Sequence, residues 1–191
     1  VFTWLVTPIT GPEQLEMMRD SRLMQMMPEE EWQNQYEEAM NPSTVGRLTS
    51  ALGAGVSTFV MVLLFGLILG FFAKMSSGTG SFKQALGVTA WASLIPFGLG
   101  IVVKAPLVLA LESMYRVNIG LAAFLPDPDP SSVLYQVLMT YGDFFSWWGL
   151  ALLIIGFQRS HGLSRGTAAV VVILPWVLAT AVPLGLSLLF M

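Results

Sequence analysis

Three side chains in this 191-residue chain bear most directly on what chemistry its apolar stretches could host: Lys104, Asp143 and His161. Each chemistry they could join has a residue requirement that the sequence can be checked against. A zinc hydrolase acting inside a membrane needs two histidines and a carboxylate on one helix, and His161 is the one histidine. A serine nucleophile in the bilayer needs a base beside it, and His161 falls in the polar segment between two apolar stretches, apart from any candidate serine. An aspartyl site needs two carboxylates sharing a proton, whereas Asp143, in Tyr141-Gly142-Asp143, is the one carboxylate within the apolar segments. Cysteine is absent, which removes thiol catalysis, thiolate metal sites and disulfides together. No catalytic residue, metal-ligand set or cofactor site survives, and a non-enzymatic protein is expected.

Lys104 and Asp143 still need an account, because a carboxylate inside a membrane is costly without a partner. Asp143 is expected roughly 8–15 Å below the outer end of its helix, at 1.5 Å per residue. Lys104 falls near the outer end of the neighbouring antiparallel span, at a comparable depth. The two are read as a candidate buried polar pair. The alternative lets Lys104 snorkel to the head groups and leaves Asp143 protonated or hydrogen-bonded to Tyr141 or backbone.

The elements that must position these groups stand out in the hydropathy. Ala51–Ala73 runs without a charge and is long enough to cross about 30 Å of hydrocarbon as a helix. Similar stretches follow at 84–103, 136–157 and 166–190. Charged residues make up 11% of the chain and hydrophobic ones 54%, too little polar surface for a water-soluble protein of this length. The net charge of -3 and the lack of a basic stripe exclude nucleic acid as a partner. Val1–Ile9 is apolar but short, and is expected to be the tail of a first helix that begins before Val1. The expected fold is therefore all-α: a polytopic transmembrane bundle with four complete spans and the end of a fifth. Residues 1–10 are assigned to that truncated helix, 11–48 to an extramembrane hairpin, and 49–191 to the four-helix bundle with an interfacial segment at 111–132. Within that segment 111–125 is expected to be a short interfacial helix.

Residues 11–48 carry eight of the twelve acidic residues. Pro12 and Pro28 each suit the first turn of a helix. Trp32, Tyr36 and Met40 recur at helical spacing, and Met17, Met18 and Met24 gather at the joint between the two helices. Met17, Met18, Met24, Trp32 and Tyr36 thus form a candidate face toward the membrane rim or a partner, since methionine-rich surfaces adapt to many shapes. The short basic loops 74–83 and 158–165 are expected in the cytoplasm, with 11–48 and the C-terminus outside. Gly66 and Gly70 are candidate packing positions in a G-x-x-x-G, within this bundle or between copies. Pro96 predicts a kink, and Trp147 lies too deep for a simple interfacial belt, so it or Trp148 is expected between helices.

The order of these pieces resembles a known family. Ser81–Leu99 (SFKQALGVTAWASLIPFGL) is a Lys-bearing turn, a small-residue helix and a Pro-kinked exit. Asp143–Trp176 continues through aspartate, tryptophan, I-G-F, a basic G-L-S-R-G loop and a helix entering a proline, and PEQLEMM precedes them all. This resembles the bacterial branch of the Yip family, integral membrane proteins named for interaction with Ypt/Rab GTPases, over nearly the whole chain. The resemblance implies a five-helix bundle with a cytoplasmic N-terminus and an external C-terminus. It also implies a packing or assembly role for Asp143 and Trp147, which match the family's aspartate and tryptophan. The expected setting is a bacterial inner membrane, with lipid and other membrane proteins as partners. The expected task is organising or scaffolding membrane, or serving as an accessory subunit; the alternative is a small transporter or permease component.

Overall fold

A computed structural model describes residues 2–19, 26–126, 129 and 132–190; the side chains of residues 2, 3, 17, 18, 133, 140, 180 and 182–190 lie outside that description. Helix follows helix throughout, and the described residues contain no β-strand beyond one isolated bridge between Gly120 and Asp143. Among the described residues, two helices are long and apolar enough to cross a membrane: α3 (Thr44–Met75), and the continuous run Phe82–Leu111. That run comprises α4 (Phe82–Leu94), a π-helical turn at Ile95–Leu99 and α5 (Gly100–Leu111). Pro96 cannot donate to the preceding turn, and the wider π turn absorbs the disturbance without ending the helix. Two further helices complete the bundle. In α7 (Phe144–His161) the last turn is polar, and α8 runs over Arg165–Phe190.

Local signals start these helices where the chain turns. Ser43 caps α3 by accepting from the Gly46 amide at 3.0 Å. Ser81 and Gln84 form a reciprocal capping box at the start of α4. α3 packs on α4, α4 on α7, α7 on α8, and α8 back on α3. The ring so closed buries Leu69, Ala73, Ala85, Ala92, Leu153, Phe157, Val171 and Val172. A smaller core of Val6, Val108 and Val117, with Ile9 against it, lies at the other end under α1 (Phe2–Met18).

The structure departs from expectation in three places. α1 is continuous through Pro8 and Pro12, so among the described residues no break falls at the expected boundary after residue 10. Both prolines are tolerated because α1 is held from outside, by α2 (Glu29–Met40), α3 and α5. The expected interfacial helix over 111–125 is instead mostly loop: Glu112 adopts a left-handed conformation that ends α5, and only Leu121–Phe124 forms a 3-10 turn. The expected span 136–157 is two helices, α6 (Val133–Tyr141) and α7, broken at Gly142–Asp143.

Candidate functional site

The break before α7 builds a polar site beside the apolar helices. Asp143 is the N-cap of α7, its Oδ1 accepting from the Ser146 amide at 3.0 Å and the Ser146 hydroxyl at 3.3 Å. Its Oδ2 accepts from the ammonium of Lys104 on α5, so the structure brings the two residues together as an ion pair. Lys104 also stands 5.9 Å from the centre of the Phe145 ring. Gly100, one turn earlier on α5, sets this approach: a Cβ there would lie 3.2 Å from Phe145. The Asp143 side chain is 9% exposed and that of Lys104 is 33% exposed. Asp143 therefore begins its helix at the positive end of the α7 dipole, which favours a carboxylate.

The backbone groups freed by the break are bonded across to the segment after α5. The Phe144 amide donates to the Ile119 carbonyl at 2.9 Å and the Leu121 amide to the Gly142 carbonyl at 3.0 Å. Two glycines permit the approach, because a Cβ on Gly120 would strike the Gly142 carbonyl and one on Gly142 would sit 2.8 Å from Leu121 Cβ. Tyr135 of α6 is buried, and its hydroxyl donates to the Tyr115 carbonyl and accepts from the Asn118 side-chain amide. The Met114 amide donates to Glu13 at 2.8 Å, tying α1 to the same segment. Burial and the Glu13 charge beside it raise the Tyr115 phenol above its ordinary range.

These elements enclose a cavity of about 180 Å³. Ile101, Val108, Met114, Val117 and Met139 give it apolar walls, and Lys104, Asp143 and Asn118 supply polar groups. Lys104 makes no hydrogen bond other than that to Asp143 among the described residues, so two of its three N–H donors remain free. Hydropathy alone did not reveal Tyr135, Asn118 or the glycine pair. The Gly142-Asp143-x-x-Ser146 pattern was the one available signal, a helix stop followed by a cap.

Of the remaining sequence candidates, Gly66, Gly70, Pro96, Trp147, Trp32 and Tyr36 lie at contacts within the chain. A Cβ on Gly66 would lie 2.8 Å from Leu86, and one on Gly70 3.1 Å from Ala85, so this G-x-x-x-G faces α4 of the same chain. Pro96 meets Gly149 of α7, where a Cβ would lie 3.2 Å from its ring. Trp147 remains half exposed at the α7–α8 seam, 6.1 Å from Trp176, and its indole N–H donates to the Tyr141 carbonyl at 2.8 Å. Trp32 and Tyr36 stack 5.1 Å apart on α2, Arg19 covers Trp32, and the Tyr36 hydroxyl donates to Glu16 at 2.8 Å. That bond raises the Tyr36 phenol, and the Trp32–Tyr36 stripe serves the seam with α1. Met24 and the side chains of Met17 and Met18 lie outside the described residues. His161, expected in a loop, is the buried last residue of α7: its carbonyl accepts from the Thr79 amide, and its ring stacks on Phe157. Among the described residues no group of three or more His, Asp or Glu could hold a metal ion.

The framework from α1 through the last turns of α8 corresponds to a single known unit, since the model of the Yip1 domain matches residues 9–186. The chain belongs to the Yip1-domain family. It is similar to the membrane protein YknW of Bacillus subtilis strain 168, with 26% identity over 131 residues. That alignment covers 68% of this chain and 54% of YknW, about half of the relative's length. No solved structure matches the chain. Together with its two membrane-length apolar helices, this makes the chain a Yip1-domain membrane protein.

Proposed function

We propose that this Yip1-domain protein acts without catalysis, through helix–helix and lipid contacts, as a membrane organiser or scaffold or as an accessory subunit of a larger membrane complex. In this reading α3, the α4–α5 run, α7 and α8 cross a bacterial inner membrane, and α1 is the end of a first span. The short basic loops 74–83 and 158–165 face the cytoplasm, with residues 11–48 and the C-terminus outside. Its partners are lipid and other membrane proteins, in a homo- or hetero-oligomer.

The observation that carries the proposal is the closed core between α3, α4, α7 and α8. Its walls are apolar, and its interior hydroxyl, Thr89, donates back to the Ala85 carbonyl at 2.9 Å. A permeation path needs polar walls through the midplane, and this core offers none among the described residues. The broken α6–α7 helix, with a charged pair at the break, is what favours the second reading, a small transporter or permease component. The break lies toward one end of the bundle, which counts against that reading. Purification in mild detergent with mass spectrometry of co-purifying proteins and lipids tests the proposal. One stoichiometric protein partner supports the accessory-subunit form. A partner-free protein that catalyses solute flux in vesicles overturns it.

A further inference from the structure

The Lys104–Asp143 cavity has the composition and depth of a lipid head-group site. Lys74, Lys83, Arg159 and Arg165 mark one end of the bundle, where the turns after α3 and α7 meet. Counting 1.5 Å per residue from Lys83, Lys104 lies about 32 Å along its helix; counted from Arg159, Asp143 lies about 24 Å along α7. A hydrocarbon core is about 30 Å thick, so both groups fall near its far edge, where phosphates and amines of lipids reside. Leu121 and Phe144, each next in sequence to a residue lining the cavity, are half exposed at 50% and 56%. A cavity lined by an ion pair thus adjoins apolar surface that acyl chains can cover.

The charges of the site select the ligand. Lys104 and Asp143 cancel, so a simple anion or cation entering this largely apolar cavity would bring an uncompensated charge with it. A zwitterion does not. Its anionic arm fits the two free N–H donors of Lys104, and an N–H-bearing ammonium fits the second lone pair of Asp143 Oδ2. At about 180 Å³, the volume of about six liquid waters, the cavity has the size of a small head group and not of a whole lipid. We infer that the cavity between α5, α6 and the start of α7 binds the head group of a zwitterionic, primary-amine phospholipid of the phosphoethanolamine type. The inference deepens the proposed lipid-contact function and rests on it only in requiring the membrane setting, not a protein partner.

The test is native mass spectrometry of the full chain released from vesicles containing equal parts phosphatidylethanolamine, phosphatidylcholine and phosphatidylglycerol. The ethanolamine lipid should be retained about tenfold over each of the others, the equivalent of one charge-assisted hydrogen bond. The choline lipid lacks the N–H for Asp143, and the glycerol lipid lacks the cation. Lys104→Met/Asp143→Asn should abolish the preference. Met139→Trp, which fills the cavity while keeping the ion pair, should abolish it too, so loss of fold in the first variant does not decide the matter. Equal retention of the three lipids, or a preference that survives Met139→Trp, overturns the site. Binding of free phosphoethanolamine without any lipid preference overturns the lipid assignment in favour of a soluble zwitterion. Co-purification of a protein partner is read separately and bears only on the scaffold proposal.

Discussion

Replacing Asp143 separates its two structural duties, because alanine removes both and asparagine only one. Asp143→Ala deletes the cap on the Ser146 amide and leaves the Lys104 ammonium without its counter-ion. Loss of an N-cap costs about 1 kcal/mol. Stripping one partner from a fully buried pair costs about 3–5 kcal/mol, but Lys104 is one-third exposed, so about 1–2 kcal/mol is the appropriate figure here. The expected loss for Asp143→Ala is thus about 2–3 kcal/mol, a fall of about 5–10 °C in midpoint for a chain this size. Asp143→Asn keeps a good capping side chain and should lose about 1–2 kcal/mol. Lys104→Met leaves Asp143 its helix terminus and Ser146, and should lose about 1 kcal/mol. Thermal unfolding of the detergent-purified protein followed by tryptophan fluorescence gives the ranking, and the double mutant gives a coupling of about 1 kcal/mol. If Asp143→Asn and Lys104→Met each left the midpoint unchanged, the pair would contribute nothing and the reasoning would fail.

Gly66→Leu must push into Leu86 and should destabilise the isolated protein by about 1–3 kcal/mol, whereas Gly55→Leu, with nothing within 4 Å, should be neutral in the same thermal assay. Equal effects at the two sites would mean that this G-x-x-x-G is not an α3–α4 contact. Gly80→Ala places a Cβ 2.5 Å from His161 Cγ, and should both lower the midpoint and open the 76–81 turn to trypsin at Lys74 or Lys83. Unchanged proteolysis would argue that the turn is not clamped on His161. Phe157→Ala removes a fully buried ring from the centre of the main core and should cost about 3–5 kcal/mol, measured as above.

The parts of this structure legible in the sequence are those fixed by local composition. α3 and the Phe82–Leu111 run announce themselves by length and hydropathy. The meeting of Lys104 with Asp143 follows from counting residues along antiparallel helices. The break at Gly142–Asp143 is different, because an averaging window runs over two polar positions flanked by apolar ones. What holds the break open is a pair of hydrogen bonds to residues 119 and 121, more than twenty positions away. The SSGTGS turn likewise reads as flexible linker, yet Gly78 and Gly80 are small so that His161, some eighty residues later, can close against them. α1 continues through two prolines for the same reason: packing on α2, α3 and α5 outweighs a local preference.

The π turn at Ile95–Leu99 divides the molecule into two halves with different mechanics. On its basic side, α4 packs against α3 and α7 around a closed apolar core. Beyond it the same span, now α5, packs chiefly on α1 and contributes Val108 to the small core with Val6 and Val117. Gly149 seats Pro96 at the division, so α7 registers where the change of partner occurs. π turns recur at functional sites because they re-aim the helix that follows them, and here the helix re-aimed is the one carrying Lys104. An occupant of the cavity would touch Val108, Met114 and Val117, and through the Glu13–Met114 bond and the Val6 contact it would bear on α1. Occupancy should therefore alter protection of the α1–α2 hairpin in hydrogen exchange and leave the basic turns unchanged. Equal changes at both ends would show that the two halves move as one body.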